Sequence, residues 1–218
     1  EVAFRCNLVT VQDGIMQDYS AGHISTEEAH ELMAAIESKL GRPGLKFHGG
    51  VSYRHLLVWQ NGPADAVTTP PHEFSDKPVD LHRAQGPGHV EIMELIEASK
   101  DILANHPVNE ARRRAGKNPA TQIWLWGQGR ALTLDSYQEK FGLTGIIVSA
   151  VDLVRGLGVL AGLEAPRIPG ATGFLDTNCE GKVEAALRSL EQHPFAYVHL
   201  EAPDECGHQG DIAGKVRA

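Results

Sequence analysis

Apolar and polar positions alternate from Phe4 to Val11, the period of a half-buried strand. The period then lengthens. Leu32, Met33, Ile36 and Leu40 recur at helical spacing, and Ser25 with Glu28 three residues later makes a capping box ahead of them. Gly41 and Pro43 end that helix. Val51 to Trp59 reads as a second strand. Asn61 to Pro87 is rich in Pro, Gly, Asp and His and reads as a long loop, a length that in a compact domain is usually functional or mobile. Val90 to Ala104 carries Ile92, Met93, Leu95, Ile96, Ile102 and Leu103 on a helical period, and Asn105 to Pro119 reads as irregular and basic.

Beyond this point the character changes. Short continuous apolar runs, Ile123 to Trp126, Gly145 to Ala150 and Phe195 to Leu200, alternate with helical stretches at Tyr137 to Phe141, Val151 to Leu160 and Lys182 to Gln192. Such alternation predicts βαβ units and a buried parallel sheet. The expected organisation is therefore an α+β domain over 1–118 followed by part of an α/β domain over 119–218, an α/β class overall. The N-terminus enters a strand at once without Met, and the C-terminus stops without a cap, so both ends are expected to be cuts within a longer chain.

Composition narrows the function. A formal net charge of -8 speaks against a nucleic-acid partner, which calls for a basic excess. A local cluster, Arg112, Arg113, Arg114 and Lys117, is nevertheless suited to a small anion. No apolar run reaches the roughly 18 residues of a membrane span. The three cysteines have no CxxC spacing, which disfavours a thiolate zinc site and fits a reducing, cytoplasmic compartment. No P-loop pattern is present.

The most informative segment is Tyr197 to His208. A buried strand runs into a polar turn, the place where open α/β sheets carry their sites. Asp204 and His208 lie four residues apart, so one helical turn brings a carboxylate and an imidazole to one side, a donor pair suited to Mn2+ or Zn2+. The alternative is a surface cap and a satisfied histidine. Two ligands also fall short of the three protein donors usual at a catalytic metal.

Pro203-Asp204-Glu205-Cys206-Gly207-His208 resembles the P-D-x-x-G-H metal-ligand motif of cofactor-independent phosphoglycerate mutases, in the alkaline phosphatase superfamily. The archaeal-type branch is also similar at Ala3 to Thr10, Asp18 to Ala29, Gly50 to His55, Asn105 to Asn109, Gly116 to Pro119, Trp124 to Gly129, Ser149 to Leu153 and Pro169 to Asn178, in order and over nearly the whole chain.

The resemblance implies an alkaline-phosphatase-like parallel-sheet part preceded by an inserted substrate domain. It implies interconversion of 3-phosphoglycerate and 2-phosphoglycerate through a phosphoserine, with two divalent ions: Mn2+ first, Mg2+, Zn2+ or Co2+ as alternatives. By match Asp204 and His208 ligate one ion. The nucleophilic serine and the other ligands are expected outside these residues, so the chain alone is expected to be inactive. Phosphoglycerate is the implied partner, with no nucleic acid and no membrane. Candidates to grip it are Arg54 beside His55, Arg5, Lys117 and Arg155, because cationic groups match its phosphate and carboxylate. For each a structural reading stands beside the binding one: a solvated surface arginine at Arg54, a strand residue at Arg5, a linker at Lys117. Arg155 stands where the branch more often shows lysine, and His23 where it more often shows arginine. A homoserine-kinase-like phosphotransferase or another metal-dependent superfamily enzyme is the alternative.

Overall fold

The computed structural model describes residues 1–208 and 210–218, the His208 side chain excepted. The chain forms two compact units, Glu1–Ala131 and Leu132–Ala218. Among the described residues the first unit holds a five-stranded sheet: β1 (Val2–Gln12), β2 (Ile15–Asp18), β3 (Leu45–His48), β4 (Arg54–Trp59) and β5 (Gln122–Arg130). Its helices are α1 (Thr26–Leu40), α2 (His89–Ala104) and α3 (Pro107–Arg114).

β1 is the spine of this sheet. β4 and β5 pair antiparallel along its two edges, β3 extends the β4 side, and β2 pairs with the end of β1. Alternation along β1 sends Val2, Phe4, Cys6 and Leu8 to one face, where they pack with Leu32, Met33 and Ile36 of α1 and Ile92, Leu95, Ile96 and Leu103 of α2. The other face carries Val9, Trp124 and Trp126, packed with Met16 and Phe74. Phe74 comes from the stretch expected as a loop. That stretch winds through two 3-10 turns, Pro71–Phe74 and Val79–His82, and is sealed to the sheet where Trp124 Nε1 donates to the Thr69 carbonyl at 2.9 Å.

The capping box at Ser25 and Glu28 closes α1 as the spacing predicts. α3 falls in a segment expected to be irregular. Its Pro107 sits in the first turn, where the missing N–H costs nothing, and His106 caps it by accepting from Val108 N–H at 3.3 Å. Asn109 of this helix donates to the Leu103 and Ala120 carbonyls and accepts from Ala120 N–H, tying α2, α3 and the approach to β5 together.

The second unit contains β6 (Gly145–Val148) and β7 (Phe195–Val198), which pair parallel, with α4 (Tyr137–Phe141), α5 (Asp152–Leu160), α6 (Cys179–Leu190), α7 (Ala202–His208) and α8 (Ile212–Arg217). Gly158 lets α5 lie close on β6, because a side chain there would run into Ile147.

One expectation is corrected. The run Ile123–Trp126 is not a strand of the parallel part. It lies in β5 and pairs antiparallel with β1, because its alternate residues match the two covered faces of the first sheet. The two compact units divide at Ala131/Leu132. Among the described residues no helix is long and apolar enough to cross a membrane.

Candidate functional site

Because Phe4, Cys6 and Leu8 face the helices, Arg5 and Asn7 must face the other way. The register completes that face: Leu56 and Trp126 flank Arg5, while Arg54 and Trp124 flank Asn7. Arg5 and Arg54 are diagonal neighbours, a separation of about 7–8 Å along a sheet. Asn7 is buried between them. Its Oδ1 accepts from Trp126 Nε1 at 3.0 Å and its Nδ2 donates to the Tyr19 carbonyl at 3.3 Å.

Around Asn7 runs a continuous arc of rings. The Arg5 guanidinium lies 4.6 Å from the Trp126 ring centre. Trp126 meets His72 edge to face at 5.5 Å, His72 meets Tyr19 at 6.1 Å, and Tyr19 meets Tyr53 at 5.7 Å. The arc closes with the Arg54 guanidinium 5.1 Å from the Tyr53 ring. His23 joins it against Tyr53 at 6.4 Å. Each cation is stacked on a ring, which restricts its rotamers while leaving N–H edges for a ligand. Among the described residues no carboxylate pairs with Arg5 or Arg54. In a chain of net charge -8, two ring-stacked guanidiniums on one face have the chemistry to hold a small anion, and their planar forks suit carboxylate or phosphate.

The loop supplying Tyr19 and His23 is held from both sides. Asp18 accepts from Ser20 N–H at 2.8 Å, Ser20 Oγ at 2.6 Å, Gly22 N–H at 2.7 Å and Asn118 Nδ2 at 3.1 Å. Burial opposes ionisation of this carboxyl, but the hydrogen bonds outweigh it and hold the group below the usual carboxylate range. Arg112, only 2% exposed, donates to Glu28 Oε2, the Ala21 carbonyl and the Asn118 carbonyl.

Not all predicted residues join this face. His55 follows Arg54 on β4 and therefore points into the helix-covered core, opposite Cys6. Its Nδ1 accepts from Gly50 N–H at 3.0 Å. Burial, with the nearby His30, brings its pKa down to about 4. Lys117 stands exposed in the turn after α3. The basic cluster at 112–117 is not one anion patch, since Arg112 is enclosed and Arg113 donates to the Ala104 carbonyl. Tyr19, His72 and Trp126 were not found by sequence reasoning; their proximity depends on strand register and on the path of the 61–87 segment.

In the second unit, Arg155 is held to its own helix and loop by Asp152 at 3.0 Å and the Ala165 carbonyl at 2.9 Å. The carboxyl ends of β6 and β7 bring polar groups together as the strand-to-turn pattern predicts. His199 meets Ser149 Oγ through Nδ1 at 3.2 Å and Glu201 Oε2 through Nε2 at 3.2 Å, and buried Lys182 donates to the His199 carbonyl at 3.3 Å. α7 starts directly after Glu201, with Asp204 exposed on it and His208 at its end. The His208 side chain lies outside the described residues. Among the described residues no cluster of three or more His, Cys, Asp or Glu side chains is arranged to hold a metal ion.

The model of the 2,3-bisphosphoglycerate-independent phosphoglycerate mutase family matches residues 1–109. A probable 2,3-bisphosphoglycerate-independent phosphoglycerate mutase of Geobacter sulfurreducens is 50% identical over 222 residues, covering 100% of this chain and 56% of that protein. The corresponding mutase of Methanosarcina mazei is 47% identical over 219 residues, covering 100% of this chain and 55% of its own length. The chain thus spans about half the length of the curated relatives it matches. Among solved structures, a cofactor-independent phosphoglycerate mutase from Thermoplasma acidophilum superposes with a TM-score of 0.60 at 25% identity, covering 99% of this chain and 59% of that one. A Pyrococcus horikoshii protein shares the fold with a TM-score of 0.73 at 24% identity, over 99% of this chain and 50% of its own.

Proposed function

Because the chain belongs to the archaeal-type 2,3-bisphosphoglycerate-independent phosphoglycerate mutase family, we propose that the full-length protein interconverts 3-phosphoglycerate and 2-phosphoglycerate through a phosphoserine intermediate. The observation that carries the reading for this chain is the pair Arg5 and Arg54, stacked on rings on one sheet face and, among the described residues, without a carboxylate partner. Phosphoglycerate is a small dianionic to trianionic ligand with a carboxylate and a phosphate, the two groups that guanidinium forks hold best. In the reaction glycerate must turn between its two hydroxyls while staying bound. A carboxylate held by Arg5 and Arg54 provides the fixed end for that turn, and the rings of Trp126, Tyr19 and Tyr53 exclude water beside it. His23 and His72 stand against the same rings, and in this reading they contact the hydroxyls or phosphate. Lys117 and Arg155 are reserve cations in this reading, and His55 acts on the site through the fold of its strand.

The family's divalent ions lower the pKa of a serine nucleophile and stabilise charge on phosphoryl oxygens. Asp204 fits as an oxygen donor and His208 matches the motif, but the described residues alone do not complete a ligand set. Mn2+ is the first choice of ion on the oxygen and nitrogen donors offered.

The test is a coupled assay on the full-length protein with Mn2+, one arm offering 3-phosphoglycerate and the other homoserine with ATP. The expected result is 2-phosphoglycerate without added bisphosphoglycerate, lowered at least about 100-fold by Asp204→Ala through lost metal. Phosphohomoserine with no mutase activity would replace this substrate with the alternative.

A further inference from the structure

We infer that Arg112 is a positioning residue for the anion-binding face: its buried guanidinium sets the conformation of the Asp18–His23 loop, and through it the placement of Tyr19, His23 and Arg54. The inference rests on the reading of that face as the substrate site. The hydrogen bonds of Arg112 go to Ala21, Asn118 and Glu28, so it acts on the face through the backbone.

The loop is held from within by Asp18 and Ser20 and from outside by Arg112. Ala21, Gly22 and His23 are consecutive residues in the left-handed region, at φ 49°, 68° and 46°. Residues with a Cβ adopt that conformation at an energetic cost, and a run of them needs support from outside. Arg112 supplies it from one side. Its three nitrogens diverge to three acceptors: Nη2 to the Ala21 carbonyl at 2.6 Å, Nε to the Asn118 carbonyl at 2.9 Å, and Nη1 to Glu28 Oε2 at 2.6 Å. Glu28 is also the capping-box carboxylate of α1, so the guanidinium fixes the loop against the start of a helix. Asp18 grips the same loop from within and reaches Asn118, the residue whose carbonyl Arg112 holds.

The effect extends to Arg54. Ser52 is itself left-handed at φ 53°, its Oγ donates to the Ile24 carbonyl at 2.6 Å, and its N–H donates to Thr26 Oγ1 at 3.1 Å. The segment leading to Tyr53 and Arg54 is therefore hooked onto the residues that directly follow the clamped loop. A buried ion pair adds little stability over well-packed apolar residues of the same volume. A guanidinium whose donors go to two loop carbonyls and a cap instead specifies one backbone arrangement. Lysine, a point charge with a single nitrogen, cannot span three divergent acceptors. Gly22 is part of the device, because a Cβ there would stand 3.0 Å from Arg112 Nη2 and 3.3 Å from Asn118 Cβ.

The experiment measures KM for 3-phosphoglycerate, kcat and the urea midpoint in the full-length enzyme for Arg112→Lys and Gly22→Ala. A loop displaced from its binding conformation raises KM by about tenfold or more while kcat stays within about threefold, the signature of lost uniform binding. Should Arg112→Lys fail to fold, Gly22→Ala carries the test. The inference is overturned if the folded variants keep KM within about twofold of wild type, or if activity falls only in step with the folded fraction. Arg5→Gln and Arg54→Gln separate the two claims. If they raise KM and the clamp variants do not, the clamp fails alone; if they leave KM unchanged, the face is not the substrate site and the inference falls with it.

Discussion

The first unit covers one face of its sheet with α1 and α2 and the part of the other around Val9 and Trp124 with the 61–87 segment, and Leu32, Ile36, Ile92 and Leu103 are fully buried. The second unit leaves two apolar stripes in the open: Leu153, Leu157 and Leu160 on α5, and Val183, Leu187 and Leu190 on α6, each at i, i+4, i+7 spacing. An antiparallel sheet closes through local hairpins and short returns, whereas a parallel pair needs helices and neighbouring strands to bury both faces. The same contrast appears in the chemistry. In the first unit Arg5, Asn7 and Tyr19 are held in one arrangement by stacking and hydrogen bonds. In the second, Ser149, His199 and Glu201 form a connected chain, yet the described donors near Asp204 do not amount to a metal site.

The contrast is sharpened first by cavity formation in the first unit. Leu32→Ala should lower the unfolding free energy by about 2–5 kcal/mol, read from the urea midpoint; a loss under about 1 kcal/mol would mean that this core is looser than its burial implies. Acid provides the next effect. His55 is held neutral, with its pKa at about 4 against an ordinary value near 6.5. The unfolded chain takes up that proton first, so the stabilisation is whole above pH 6.5 and is lost as pH falls from about 6.5 to 4, on the order of 3 kcal/mol in total. A His55→Leu variant should flatten that limb of the stability profile, and an unchanged slope would assign it to other groups. The smallest effect belongs to the second unit, where Leu157→Gln on the exposed stripe of α5 should change stability by no more than about 0.5 kcal/mol. A large loss there would show that the stripe is buried in solution.

Much of the fold was legible because its signals are local. The alternation at β1, the capping box of α1, the period of α2 and the apolar runs of β6 and β7 lie within single stretches of sequence. α3 was missed because its cap is a histidine, and β5 was assigned to the wrong sheet because a short apolar run carries no sign of its partner's direction. The site divides the same way. Arg5 and Arg54 stand out as cations at strand positions, and Asp204 as a carboxylate after a strand. His72, Tyr19 and Trp126 come from three distant segments and meet only through strand register and the path of the 61–87 segment. His55 was expected beside Arg54, yet consecutive strand residues point to opposite faces, so one of the two had to turn inward.

The most direct test of the account is the indole N–H resonance of Trp126 in labelled full-length protein as phosphoglycerate is added to saturation. Trp126 Nε1 donates to Asn7 beneath Arg5, whereas Trp59 packs against the helix-covered core. The account predicts that the Trp126 signal shifts saturably while that of Trp59 stays in place. A Trp126 signal unmoved at saturating phosphoglycerate would contradict the claim that this face holds the substrate.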